Sequence, residues 1–115
     1  CAYSIFFNNM VAPWNDVNLR RAVNSAMDRT ELADIAYEGA MPPNTFAFSG
    51  YMAGTWLTPD SPLTAVLDRY NVDNPSQADV DANMAAGGYE RDAEGFWSKD
   101  GERIDFLVRT PAFIP

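Results

Sequence analysis

The sequence predicts an α/β layer, in which short β-prone segments at the two ends of the chain enclose segments with helical periodicity. Three observations carry this prediction. Tyr3 to Asn8 (YSIFFN) is aromatic and β-prone, and it runs into the turn-favouring pair Asn8-Asn9. Ile104 to Thr110 (IDFLVRT) places Ile104, Phe106 and Val108 on one face and is stopped by Pro111. Between them, apolar residues recur three and four positions apart. The expected architecture has few strands, three to four helices and one long aromatic loop, all in a single domain over 1–115.

The helices follow in order. Asp16 is a good N-cap, and Leu19, Val23, Ala26 and Met27 then form one apolar stripe. A second helix is expected to begin at Thr30 with Glu31 in its first turn, after a break near Asp28 to Thr30. Leu32, Ile35 and Ala36 form its stripe, and Gly39 is its natural stop. Leu63 to Tyr70 reads as a short helix opened by Ser61-Pro62. Val80 and Met84, spaced i, i+4, belong to a further helix that begins near Asn74-Pro75 and ends at Gly87-Gly88. Glu90 to Gly101 is polar and turn-rich. The core candidates are Phe6, Phe7, Leu19, Val23, Met27, Ile35, Phe106 and Val108.

Gly39 to Pro62 is different in kind. It holds three Gly and four Pro, so regular structure is not expected there. It also carries Phe46, Phe48, Tyr51 and Trp56, more large aromatics than a solvated linker would expose. Such a loop packs along its own domain, docks onto another, or lines a cleft. Two predicted strands make a poor sheet, so further strands are expected from elsewhere in a parent chain.

Composition removes several function classes. The chain is 47% hydrophobic and 13% aromatic, which gives it a core to bury and argues against disorder. No apolar run reaches the ~18 residues that a membrane span needs. Sixteen acidic against eight basic side chains give a net charge of −8, and the only Lys is Lys99. A nucleic-acid surface needs clustered Lys and Arg, so nucleic-acid binding is not expected. The first ten residues show no basic n-region and no cleavage pattern, so any export signal is expected upstream. Cys1 stands where a lipoprotein carries its lipid, but Ala2 to Phe7 reads as a strand rather than a polar tether. Cys1 is therefore read as an ordinary residue.

Chemistry is sparse. There is no His, so a Ser-His-Asp or Cys-His arrangement is impossible within the chain. One Cys and no His exclude the usual zinc sites, and neither a metal nor a cofactor is expected. Acidic pairs occur at Asp79/Asp81 and Asp92/Glu94. Asp92 to Gly95 faintly resembles the start of a calcium loop, but it lacks the third acidic position and the bidentate Glu, so a solvated turn is the better reading. Asp16 and Arg20 are spaced for a cap plus a local ion pair, and Asp28 and Arg29 read as structural.

One run is more specific. Asp16-Val17-Asn18-Leu19-Arg20-Arg21-Ala22-Val23-Asn24-Ser25-Ala26-Met27-Asp28-Arg29, preceded by Pro13-Trp14, resembles a signature of the family 5 solute-binding proteins of bacterial ABC importers. Tyr3 to Asn9 resembles the strand before that signature, and Tyr37-Glu38-Gly39-Ala40 the end of the helix after it. Val80 to Tyr89, Gly95-Phe96-Trp97 and Asp100-Gly101 resemble a second block, which is followed by a strand. The sequence departs from the family where Asn74-Pro75 replaces Asp-Pro and Asn83-Met84 replaces a Leu-Leu pair.

The resemblance implies a type II periplasmic-binding-protein fold with a hinged, two-lobed clamp. This chain would be part of lobe 2, a fragment of the C-terminal lobe. The implied function is capture of peptides or a similar small solute outside the cytoplasm, in the periplasm or extracellular space, and delivery to an ABC permease without catalysis. The family's Trp-x-x-Asp-Tyr ligand-anchor segment does not occur here.

In open α/β sheets ligands bind at the carboxyl ends of strands. That rule nominates Asn8 and Asn9 after the first predicted strand, and Arg109 and Thr110 at the end of the last. Arg109 is suited to hold a carboxylate bidentately. Two rivals stand beside the importer reading: a stand-alone interaction domain using the aromatic loop 39–62, and a carboxylate-dependent hydrolase domain. The isolated chain is also expected to self-associate through sheet edges.

Overall fold

The computed structural model describes residues 5–40, 42–43 and 52–109. Within them the order is α1 (Val17–Ala26), α2 (Arg29–Tyr37), α3 (Ala53–Trp56), α4 (Pro62–Arg69), α5 (Gln77–Ala86), β1 (Glu90–Arg91), β2 (Trp97–Lys99) and β3 (Glu102–Arg103).

Capping chemistry sets most helix starts. The Asp16 carboxylate accepts from the Asn18 amide at 2.8 Å and opens α1. Asp28 does the same for the Glu31 amide at 2.9 Å and opens α2. Ser61 and Ser76 cap α4 and α5, with Pro62 at the first position of α4, where its missing N–H costs nothing. The two-helix reading of Asp16 to Gly39 is correct in number, with the second start one residue earlier than Thr30. Leu63–Tyr70 and the Val80/Met84 segment are helical as expected.

The core forms where α1 crosses α5. Leu19, Ala22, Val80, Met84 and Tyr89 are buried, with Trp14, Trp97 and Ile104 packed against them. Two hydrogen bonds tie the loop before α5 to the α1–α2 junction. The Ser76 amide donates to the Ser25 carbonyl at 2.8 Å, and Arg29 donates to the Val72 carbonyl at 2.7 Å and to Asn24 Oδ1 at 2.6 Å. Burial holds the Arg29 guanidinium below the ordinary arginine value, with Asp73 acting the other way.

The sheet is not where the sequence places it. Residues 5–8 and 104–109 are neither strand nor helix; Tyr3, Ser4 and Thr110 lie outside the described residues. The strands come instead from the polar stretch Glu90 to Arg103, as the antiparallel meander β1-β2-β3. Local turn chemistry explains this. Lys99 pairs with Glu102 across Asp100-Gly101, and both turn residues have positive φ (54° and 82°), the hairpin geometry that Asp-Gly favours. Among the described residues, 5–8 and 104–109 have apolar side chains but no neighbouring strand to complete a ladder, and without one a strand does not form.

Several core expectations are corrected for the same reason. Leu19 is buried, and Phe7, Val23 and Met27 are half-buried, whereas Phe6 is 90% exposed, Ile35 74%, Val108 65% and Phe106 49%. On α2 the buried residue is Ala33, not the Leu32–Ile35–Ala36 stripe. The long loop is also more ordered than its Gly and Pro content suggests, since it contains α3, and the described residues hold five helices rather than three to four. Phe46, Phe48 and Tyr51 lie outside the described residues.

Candidate functional site

Trp14 lies in a loop that contains a cis Ala12–Pro13 bond and ends at the α1 cap. Its ring packs against Phe7 at a centroid distance of 4.6 Å and edge-on to Phe106 at 5.1 Å. One indole thus gathers both end segments. Arg20 donates to the Trp14 carbonyl, which fixes the loop onto α1. This contact replaces the Asp16–Arg20 pair expected from spacing.

Asn8 and Arg109, two of the nominated ligand residues, lie one and three positions along the chain from the two aromatic neighbours of Trp14. Asn8 directly follows Phe7, and its Oδ1 accepts from the Met10 amide at 3.1 Å, closing a turn. Asn8, Asn9 and Arg109 are exposed. Arg109 is three residues past Phe106, at most about 11 Å of chain. Thr110 lies outside the described residues. A shallow depression of about 300 Å³ is lined by Asp105, Phe106 and Leu107 in the same segment. Both the Phe7 segment and the Phe106 segment therefore contact Trp14. The hub itself, Trp14, is nominated by the sequence only as a motif position, because nothing in its spacing reveals two aromatic neighbours a hundred residues apart.

Asp16 has a wider role than capping. Lys99 lies 3.7 Å from its carboxylate, donates to the Gly87 carbonyl at 2.7 Å, and sits 4.9 Å from the Tyr89 ring centroid. Burial, followed by the charge of Asp16 and a hydrogen bond to it, raises the Tyr89 hydroxyl above the ordinary tyrosine value. A Cβ on Gly87 would come within 2.7 Å of the Tyr89 ring and 3.0 Å of Asp16, so the chain approaches here as only glycine allows. This cluster joins the Asp16 run to the Gly-Tyr block.

The acidic pairs are structural. Asp92 Oδ1 accepts from the amides of Glu94 and Phe96, and its other oxygen pairs with Arg103, which also reaches Glu94 at 2.6 Å and stacks on Phe96 at 4.6 Å. Desolvation acts upward on Asp92. The Phe96 amide, Arg103 and the Glu94 amide outweigh it and hold the carboxyl below the usual range. Arg103 thus takes both carboxylates of the Asp92/Glu94 pair. Asp81 pairs with Arg91, and Asp79 accepts from Asn71. Among the described residues no group of carboxylates and thiols is arranged to hold a metal.

A family model described as bacterial extracellular solute-binding proteins, family 5 Middle, matches residues 1–106. The chain belongs to that family. Its members act in solute binding for ABC importers, are extracellular or periplasmic, and are generally non-catalytic. Membership implies the type II periplasmic-binding fold, with which the helices and three-stranded sheet are compatible. No curated protein and no solved structure matches the chain.

Proposed function

We propose that this chain is part of the second lobe of an importer's substrate-binding subunit, which captures a peptide or similar small solute and passes it to the permease. The observation that carries this reading is the family match over nearly the whole chain. Physical support comes from the surface. Phe6, Met10, Leu107 and Val108 are 65–90% exposed around the Trp14 hub. The radius of gyration is 16.0 Å, against about 13 Å for a compact domain of this length. So much exposed apolar surface at one end fits a domain that is completed by further polypeptide.

In this reading Asn8, Asn9, Arg109 and Thr110 face the cleft. The Asn amides hydrogen-bond the solute's backbone or polar groups, and Arg109 holds a carboxylate. Clamp closure needs the other lobe, so the isolated chain binds solute weakly or not at all. With its apolar end uncovered, it self-associates as concentration rises.

Native mass spectrometry of the protein purified from its own host tests this. A mass several times 12.7 kDa with a co-purified small solute is expected. A 12.7 kDa species with nothing bound, or tight peptide binding by the isolated chain in calorimetry, overturns the reading.

A further inference from the structure

Arg21 on α1 and Arg69, the last residue of α4, converge on Tyr70. Their guanidinium carbons lie 5.1 and 5.6 Å from its ring centroid, and Arg21 also reaches the Tyr70 hydroxyl at 3.5 Å. The two guanidinium carbons are therefore at most about 11 Å apart. Acidic residues outnumber basic ones two to one in this chain. Arg91, Lys99 and Arg103 take carboxylate partners, while Arg20 and Arg29 are committed to backbone carbonyls. Among the described residues, neither Arg21 nor Arg69 has a carboxylate within 4.0 Å.

Two like charges against one ring repel each other, and cation–π contact alone offsets little of that at an exposed site. The C-terminus of α4 offers Arg69 only a partial counter-charge. Each guanidinium carries several N–H donors with no carboxylate among the described residues to take them, and the Tyr70 hydroxyl lies beside Arg21. This is the donor set that recognises an oxyanion.

We propose that Arg21, Arg69 and Tyr70 form a surface site for a small oxyanion, a phosphate or a carboxylate. The site does not depend on the cleft reading above.

The test is NMR of the ¹⁵N-labelled chain, following arginine Nε–Hε signals and the Tyr70 ring. Inorganic phosphate and succinate are titrated separately, with sodium chloride at matched ionic strength as control. Saturable shifts confined to Arg21, Arg69 and Tyr70 are expected. R69Q and R21Q, both exposed, should each weaken the apparent affinity about tenfold, the effect of losing one charge-assisted contact of ~1.4 kcal/mol. Saturation by phosphate alone, or by succinate alone, assigns the anion. Shifts spread over all arginines and reproduced by chloride, or unchanged affinity in both variants, overturn the proposal.

Discussion

The α1–α5–meander half and the Trp14 end of the molecule contain similar side chains and use them in opposite ways. In the first, Leu19, Met84 and Tyr89 are each at most 5% exposed, and nearly every charge nearby has a partner. In the second, Phe6, Leu107 and Val108 are mostly in solvent, and one indole gathers the two segments. The family-signature residues serve the first half: Asp16 caps, Leu19 and Ala22 pack, Arg20 pins the Trp14 carbonyl, and Arg29 bridges to Val72. The lesson is that the signature specifies a seat. The apolar end that the seat carries is left in solvent.

The sharpest way to break this comparison is truncation on each side. Met84→Ala should cost ~2–5 kcal/mol in urea unfolding, because it opens a cavity in a buried contact. Val108→Ala and Leu107→Ala should stay within ~0.5 kcal/mol. Equal losses on both sides would show that the end segments are packed in solution. Next comes Gly87→Ala, which should cost ~1–3 kcal/mol through the clash with Tyr89. In a Tyr89→Ala background the same change should cost clearly less, and a double-mutant cycle reads the difference. Asp16→Ala should remove about 1 kcal/mol by uncapping α1 and releasing Lys99.

The smallest effects are in pH. The Asp92 carboxyl is depressed in the folded chain, so its contribution is present above the unfolded value near 3.8 and is lost as pH falls through the lower folded value. The Phe96 amide resonance should move in that acid window before the α1–α5 core melts. Tyr89 is raised, so its contribution is full below the ordinary value near 10.0 and disappears as pH climbs through the folded one. Tyrosinate absorbance at 295 nm should show a late phase that Tyr89→Phe removes, and Asp16→Asn should bring that phase earlier.

Much of the helical layer was legible because its signals are local. Asp16, Ser61-Pro62 and Gly87-Gly88 mark helix ends whatever the helices pack against. The sheet was not. YSIFFN and IDFLVRT have strand composition, but a strand is a pairing and its partner is not written in the segment. Conversely, the Glu90–Arg103 meander is polar and short, and only Asp100-Gly101 announces it. Burial was misjudged at Phe6, Ile35 and Val108, because periodicity names a face without saying whether anything lies opposite it. Of the candidate site, Asn8, Asn9, Arg109 and Thr110 were nominated from the ends of expected strands, yet residues 5–8 and 104–109 are not strands, and the Trp14 contact to Phe7 and Phe106 emerged only in three dimensions.

The α1–α5 contact also sets a timetable. The two helices begin about sixty residues apart, and the contacts of α1 with Val80, Met84 and Tyr89 cannot form until α5 and Tyr89 have been made. At roughly 5–20 residues per second, α1 leaves the ribosome several seconds before its partner. Closing the intervening loop of about fifty residues then costs roughly 3–4 kcal/mol of chain entropy. During synthesis Leu19 and Ala22 therefore stay uncovered by Val80, Met84 and Tyr89 until α5 has emerged.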